Sequence, residues 1–168
     1  MCKLRLAGVI KESIVDGPGI RLTVFTQGCP HKCEGCHNPQ THDSAGGYDS
    51  SVENIVNEVK KNPLLHGVTL SGGEPFMQAE SLAKLAKELH LLGLNIITYS
   101  GYTFEEILSV AQKHPSWSEL LNETDILIDG KFELEQKSLL LHFRGSKNQR
   151  VIDVKQSIAM GKIVEVEI

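Results

Sequence analysis

The sequence predicts an α/β fold in which a mostly parallel sheet of about five to six strands carries helices on its outside. Short β-branched and apolar runs alternate with amphipathic stretches, which is the pattern of β-α units. In addition, the residues that can carry chemistry come directly after these runs, as ligand-binding residues do at the carboxyl ends of parallel strands. No long linker and no internal repeat divides the chain, so we expect one domain, 1–168.

Six segments of the chain are the predicted strands. Four of them are short β-branched or apolar runs bounded by turn residues. Two weaker candidates lie near the C-terminus, and the last of these alternates as an edge or hairpin strand does. In chain order, the predicted strands span 20–25, 67–71, 94–99, 125–128, 150–154 and 163–168.

Amphipathic stretches between the strands predict the first two helices. The first helix has apolar residues at helical spacing over 52–59 and follows the candidate caps at 50–51. The second carries an apolar stripe over 82–92 and ends at Gly93, where a left-handed C-cap is expected.

The third predicted helix begins with a capping box. The Thr103 side chain can accept a hydrogen bond from the backbone N–H of Glu106, and the Glu106 side chain can accept one from the backbone N–H of Thr103. Apolar residues continue the helical pattern to Ala111, and Pro115 then stops the helix because proline interrupts the backbone hydrogen bonding.

The overall charge and the N-terminus limit the classes of function. The chain has 17 Lys and Arg against 21 Asp and Glu, a net charge of -4, and no block rich in Lys or Arg. Nucleic-acid binding is therefore not expected. The first eight residues lack a long apolar segment, and no window reaches the roughly 20 apolar residues of a membrane span. We expect a soluble cytoplasmic protein that does not bind membranes.

Three cysteines within eight residues form the most informative motif. Cys29, Cys33 and Cys36 make a CxxxCxxC loop, whose short spacers let three thiolates surround one compact inorganic core. Structural zinc sites close with four protein ligands, whereas a four-iron cluster held by three cysteines keeps one iron open for a small molecule. Clustered cysteines also suit a metal in a reducing compartment better than disulfides. The fourth cysteine, Cys2, has no assigned role.

Zinc remains an alternative occupant of this loop. His31, His37 or His42 could supply the fourth ligand of a zinc site. A zinc-binding interaction module without enzymatic activity would then be the function, although that reading leaves the glycine-rich segment at 71–75 unexplained.

The cysteine loop after the first predicted strand resembles the signature of the radical S-adenosylmethionine enzymes. The segment Ser71–Pro75, after the second predicted strand, is similar to the Gly-Gly-Glu motif of the same family. This resemblance implies a truncated, partial TIM-like barrel. It also implies a 4Fe-4S cluster that reductively cleaves S-adenosylmethionine into methionine and a 5'-deoxyadenosyl radical. Taken alone, the second segment would be an ordinary glycine turn.

Further segments resemble one branch of that family, the activating enzymes of anaerobic class III ribonucleoside-triphosphate reductase. These segments are 16–21, 36–39, 98–102 and 144–150. The resemblance implies that the protein takes a hydrogen atom from one glycine of the large reductase subunit and leaves a glycyl radical there. It also implies an electron donor such as reduced flavodoxin. The open alternatives are an activase of another glycyl-radical enzyme and a radical enzyme that modifies a small molecule such as a deazapurine.

The resemblance also implies roles for individual residues. The cluster ligands are the three loop cysteines, and the S-adenosylmethionine contacts fall into two groups. The closer group is Gly35, Cys36, His37, Gly72, Gly73 and Glu74, of which the last three hold the methionine amino group. Many radical S-adenosylmethionine enzymes have an aromatic residue immediately before the third cysteine. Gly35 stands there in this chain, which excludes adenine stacking on a side chain at that position.

The second group of implied contacts is Ser100, Asp129 and Lys131. Asp129 is expected to bind a ribose hydroxyl, and Lys131 is expected to approach the methionine carboxylate. Four residues near the C-terminus are expected to dock the reductase or to shape the entrance for its glycine loop. They are Arg144, Asn148, Gln149 and Arg150.

Overall fold

Seven strands form one sheet in the computed structural model, which describes residues 2–168. The strands are β1 (Lys3–Ser13), β2 (Arg21–Thr26), β3 (Tyr48–Ser51), β4 (Gly67–Gly72), β5 (Asn95–Tyr99), β6 (Ile126–Asp129) and β7 (Arg150–Asp153). Their order across the sheet is β3-β1-β2-β4-β5-β6-β7. Strands β2, β4, β5 and β6 are parallel neighbours, and the three outer strands pair antiparallel.

The α/β prediction is confirmed, while the outer part of the sheet differs from the prediction. Only the four central strands are parallel, and the sheet has seven strands where about five to six were expected. Strands β1 and β3 had no predicted counterpart. The segment 163–168 forms no strand, although Glu165 makes one bridge to Ile152, and the Val166 N–H donates to the carbonyl of Val151 at 2.9 Å.

Residues 2–168 contain five α-helices, of which the first four lie between strands and the last follows β7. They are α1 (Val52–Lys60), α2 (Ala79–Leu91), α3 (Phe104–Ala111), α4 (Pro115–Glu123) and α5 (Val154–Met160). The predicted capping box is confirmed, because Thr103 and Glu106 exchange hydrogen bonds at the start of α3. Pro115 occupies the first turn of α4, where a missing N–H breaks no helical bond. Within the described residues, no helix has both the length and the apolar character to cross a membrane.

The apolar residues of the sheet divide between its two faces. The larger core lies between one face and the helices, with Leu70 and Ile96 fully buried among helix residues such as Leu85. On the opposite face, Ile97 and Ile128 belong to a smaller cluster. The alternation of neighbouring strand residues between the faces explains this division. The second face therefore has less apolar cover, and a cavity opens beside it.

Candidate cofactor site

A cavity of about 360 Å³ opens where the central parallel strands end. It is lined by the residues that follow β2, β4, β5 and β6, four loops that are far apart in sequence. The carboxyl ends of parallel strands meet at one edge of a sheet, which is why these loops converge. Of the predicted site residues, the cavity is lined by Cys29, Cys33, Cys36, His37, Gly72, Gly73, Ser100, Arg144 and Gln149.

The cysteine loop is held by backbone hydrogen bonds to the segment that follows it. The Gly28 N–H donates to Thr41 at 2.7 Å, and the Cys29 N–H donates to His42 at 3.1 Å. The three thiols are free and partly buried. Burial raises the pKa of the Cys29 and Cys33 thiols. In residues 2–168, no three His, Cys, Asp or Glu side chains are grouped as a site for a single metal ion.

One polar atom in the cavity lining points to a polar occupant. The Nε2 atom of His42 is buried and has no hydrogen-bond partner in the part of the chain that the structure describes. His42 lines the same cavity as the three thiols. Because a buried polar atom is normally paired, an occupant that supplies the partner is expected there. Three thiols in one cavity lining fit an iron-sulfur cluster, and the unpaired nitrogen of His42 in the same lining fits a polar neighbour.

The two glycines at the end of β4, Gly72 and Gly73, are required by the close approach of β4 to β2. A Cβ atom on Gly72 would lie 2.4 Å from the Thr26 nitrogen, and one on Gly73 would lie 2.4 Å from the Gly28 oxygen. The Gly73 N–H also donates to the Thr26 carbonyl at 2.8 Å. The glycines therefore bring the end of β4 against the start of the cysteine loop, so that both line one cavity.

Glu74, the third residue of the motif, lies behind this lining. Its carboxylate is fully buried, and its hydrogen-bond partners all belong to the protein. Gly35 also lies outside the lining and has the side chain of Leu134 as its nearest neighbour on the Cβ side. The contacts predicted between these two residues and S-adenosylmethionine stay predictions.

Asp129 and Lys131 line a second cavity, of about 630 Å³, which shares the lining residues Gly101 and Gly130 with the first. Asp129 is almost fully buried, and its carboxylate accepts a hydrogen bond from the Phe104 N–H at 2.7 Å. The same carboxylate accepts two bonds from Arg150, at 2.6 and 3.1 Å. Asp129 thus has protein partners at the place where a ribose hydroxyl was predicted.

The predicted docking segment bonds mainly to its own part of the chain. Arg144 donates to the carbonyls of Lys147 and Gln149. The Gln149 side chain accepts from two backbone N–H groups of the segment and donates to Gly130 at 3.0 Å. Asn148 donates to the Lys131 carbonyl at 2.7 Å. These side chains fix the loop between β6 and β7, and Arg144 and Gln149 present part of their surface to the first cavity.

Two polar residues of the cavity wall, Asp16 and Tyr99, were not among the predicted site residues. Asp16 lines the cavity and accepts hydrogen bonds from Ser13 at 2.5 Å and Thr23 at 3.1 Å. The Tyr99 hydroxyl donates to the Phe143 carbonyl, and burial raises the pKa of this tyrosine. The available signal was the alternation of Arg21 and Thr23 with apolar residues in β2, because polar residues at every second position indicate a polar face of the sheet.

Comparisons with known proteins give consistent results. Residues 15–152 match a protein family described as a 4Fe-4S single cluster domain. The chain is 33% identical over 144 residues to the anaerobic ribonucleoside-triphosphate reductase-activating protein of Enterobacteria phage T4, covering 82% of this chain and 86% of that protein. The Escherichia coli K12 protein of the same name is 34% identical over 146 residues, covering 82% and 91%. The pyruvate formate-lyase-activating enzyme of Clostridium pasteurianum is 33% identical over 130 residues, covering 74% and 50%.

Proposed function

Since this chain belongs to the family of anaerobic ribonucleoside-triphosphate reductase-activating proteins, we propose that it installs a glycyl radical on the large subunit of the anaerobic reductase. It is a radical S-adenosylmethionine oxidoreductase, and its cofactors are a 4Fe-4S cluster and S-adenosylmethionine. When bound, these cofactors supply a carbon-centred radical that takes a hydrogen atom from the target glycine. The electron comes from reduced flavodoxin or a similar donor, and the reaction takes place in the cytoplasm.

The chain's own contribution begins with the three thiols. Cys29, Cys33 and Cys36 hold the cluster, and three protein ligands leave one iron open to a small molecule. All three thiols line the same cavity, and His42 belongs to the same lining. The residues around the cluster also limit the access of water, which sets the reduction potential together with hydrogen bonds to the sulfurs.

The edge of the cavity formed by β4 and β5 receives S-adenosylmethionine. Gly72 and Gly73 offer backbone groups to the methionine amino group, with Glu74 behind them, while His37 and Ser100 form other parts of the lining. Gly35 and Cys36 approach the cofactor from the cysteine loop, as the family resemblance implies. The protein orients the cofactor and excludes solvent, and the bond-breaking chemistry belongs to the cofactor.

Asp129 and Lys131 complete the proposed cofactor contacts. Both line the second cavity, which shares Gly101 and Gly130 with the first, and a cofactor that extends past these two glycines would reach them. Asp129 would contact a ribose hydroxyl, and Lys131 would contact the methionine carboxylate. The partial barrel implied by the family resemblance is part of the same proposal, with the sheet curved around this site.

The reductase approaches through the open side of the cavity. Arg144 and Gln149 line that cavity, and Asn148 and Arg150 hold the same loop from the side of β6. We assign these four residues to shaping the entrance for the glycine segment of the reductase. They do so by fixing the loop, and Arg144 and Gln149 can also touch the partner.

One observation carries the proposal: three free thiols and the Gly72–Gly73 edge line one cavity. The test is anaerobic reconstitution with iron and sulfide, followed by dithionite reduction and low-temperature EPR with and without S-adenosylmethionine. A reduced four-iron signal that changes with S-adenosylmethionine is expected. Cys33→Ala should lose the signal, and Cys2→Ala should keep it. A colourless protein with one bound zinc per chain would contradict the proposal.

A second target is favoured by one comparison. The match to a pyruvate formate-lyase-activating enzyme makes another glycyl-radical enzyme, pyruvate formate-lyase, an alternative substrate. The reconstituted protein should be offered each purified target separately under the same reducing conditions. A glycyl radical on the reductase alone supports the proposed target, whereas a radical on pyruvate formate-lyase alone supports the alternative.

A further inference from the structure

The carboxylate of Glu74 joins three of the loops that form the site. Its Oε1 atom accepts from His31 Nε2 at 2.7 Å and from the Gly101 N–H at 2.8 Å. Its Oε2 atom accepts from the Phe76 N–H at 3.0 Å. The Ser100 hydroxyl lies 2.9 Å from both oxygens, and its single proton completes the second acceptor site of Oε2. His31 lies between the first two cluster cysteines, and Ser100 and Gly101 follow β5.

These contacts leave the carboxylate little capacity for a further ligand. An ionised carboxylate has about four lone-pair sites, and here four protein donors occupy them. Each carboxylate oxygen accepts a hydrogen bond from a backbone N–H, so both oxygens act as acceptors. His31 Nε2 is therefore assigned as the donor of its bond to Oε1. The Glu74 residue has no exposed surface and is not part of the cavity lining. A direct bond from S-adenosylmethionine to this carboxylate would displace a protein donor.

The position of the His31 ring is tightly defined. The ring packs edge-on against Tyr102, with 4.5 Å between ring centroids. A Cβ atom on Gly101 would lie 2.4 Å from the ring, so only glycine leaves room for it. The side chain of His31 is only 5% exposed. These contacts hold the ring in one position, in which it connects the cysteine loop to Glu74.

We propose that Glu74 and His31 are positioning residues that hold the cysteine loop in register with the two loops that receive S-adenosylmethionine. This inference rests on the proposed function and refines it, because it gives Glu74 an indirect role. The methionine amino group is then bound by backbone groups at the Gly72–Gly73 edge. Loss of the His31–Glu74 bond should leave the thiols able to take up iron but should misalign the open iron and the cofactor-binding loops.

Two substitutions break the bond in different ways. His31→Phe replaces the imidazole by another aromatic ring that can pack against Tyr102, but it removes the N–H donor. Gly101→Ala keeps every donor and places a methyl group where the ring lies, at a backbone conformation that alanine can adopt. The matched controls are Gly8→Ala, where an added Cβ meets no atom within 4 Å, and His114→Gln, which replaces an exposed histidine.

The measurements are iron and sulfide content, the reduced-cluster EPR signal and the dissociation constant for S-adenosylmethionine, all under anaerobic conditions. In both test variants, iron content should match that of the wild type. The dissociation constant should rise about tenfold or more, the scale of one hydrogen bond to a charged group. The change in the EPR signal on adding the cofactor should shrink in parallel. Both control variants should behave as the wild type does.

Equal or tighter binding of S-adenosylmethionine in His31→Phe would overturn the inference, since a carboxylate released from His31 could then be a direct ligand. If either variant fails to fold, the other decides. A crystal structure of the wild type with cluster and cofactor provides a test that needs no variant. Glu74 still bonded to His31, Ser100 and Gly101 supports the inference, and Glu74 bonded to the methionine nitrogen overturns it. Wild-type protein that binds no S-adenosylmethionine would instead reject the proposed function.

Discussion

Alanine substitutions at four glycines should distinguish two causes of lost stability: backbone strain at a positive φ, and contact of the added Cβ atom with neighbouring backbone. Gly73 has an ordinary φ, but a Cβ atom there would lie 2.4 Å from the Gly28 carbonyl oxygen. Gly161 is the reverse case, with φ of +67° and open space around the added atom. Gly72 combines both features, since its φ is +94° and the added atom would lie 2.4 Å from a backbone nitrogen. Gly8 has neither feature and serves as the control.

The expected losses of stability follow from these geometries. Gly8→Ala should change the free energy of unfolding by less than about 0.5 kcal/mol, as an unstrained surface change does. Gly161→Ala should cost about 1 kcal/mol, the strain of a left-handed conformation. Gly73→Ala should cost about 1–3 kcal/mol, because overpacking forces two backbone segments apart. Gly72→Ala adds both effects and should cost about 2–4 kcal/mol.

Urea unfolding of the reduced protein without cofactors, followed by circular dichroism, measures these differences. One kcal/mol corresponds to a shift in melting temperature of about 2–4 °C for a chain of this length, so thermal scans give a second estimate. The order of stability should be Gly8→Ala, Gly161→Ala, Gly73→Ala and Gly72→Ala, from highest to lowest. A Gly73→Ala variant as stable as Gly8→Ala would refute the close approach of β4 to β2 as the reason for these glycines.

Two further predictions concern ion pairs away from the thiols. Burial lowers the pKa of His90, but hydrogen bonds to Asp125 and Glu123 outweigh it and raise the pKa overall. A raised pKa stabilises the fold below the unfolded value of about 6.5, and this stabilisation is lost as pH rises through the folded-state pKa. His90→Gln should therefore cost about 1 kcal/mol more at pH 6 than at pH 9 in urea unfolding, and equal costs would contradict the assignment. Arg150→Met leaves the buried Asp129 carboxylate with only one backbone donor and should cost about 2–4 kcal/mol of unfolding free energy. Unchanged stability with weaker reductase binding would instead place Arg150 at the partner surface.

The central strands could be predicted from sequence because they are buried on both faces. Apolar and β-branched residues therefore follow one another over 68–70 in β4 and 96–99 in β5, and the pattern is strong. Strand β1 was missed because its pattern is weak: Leu4 and Leu6 are buried, but the next residues are mostly half-buried or exposed. Its eleven residues are held by antiparallel pairing with β2 and β3, and such contacts are distant in sequence.

The site could be predicted as a set of loops but not as a set of contacts. Parallel strands bring their carboxyl ends together, so the loops after β2, β4 and β5 had to meet. Which side chain faces the cavity depends on partners in other loops. Glu74 faces away because His31 and Ser100 bind it, and Asp129 faces Arg150, which is 21 residues further along the chain. Local sequence patterns do not contain these pairings.

The most direct test of the account is EPR spectroscopy of the anaerobic reductase after incubation with this protein, S-adenosylmethionine and a reductant. A doublet signal from a glycyl radical on the large subunit is expected. That signal should be absent with Cys33→Ala and absent when alanine replaces the target glycine of the reductase. If the Escherichia coli activating protein gives the doublet on its own reductase while this protein gives no radical on any reductase offered, the account is wrong.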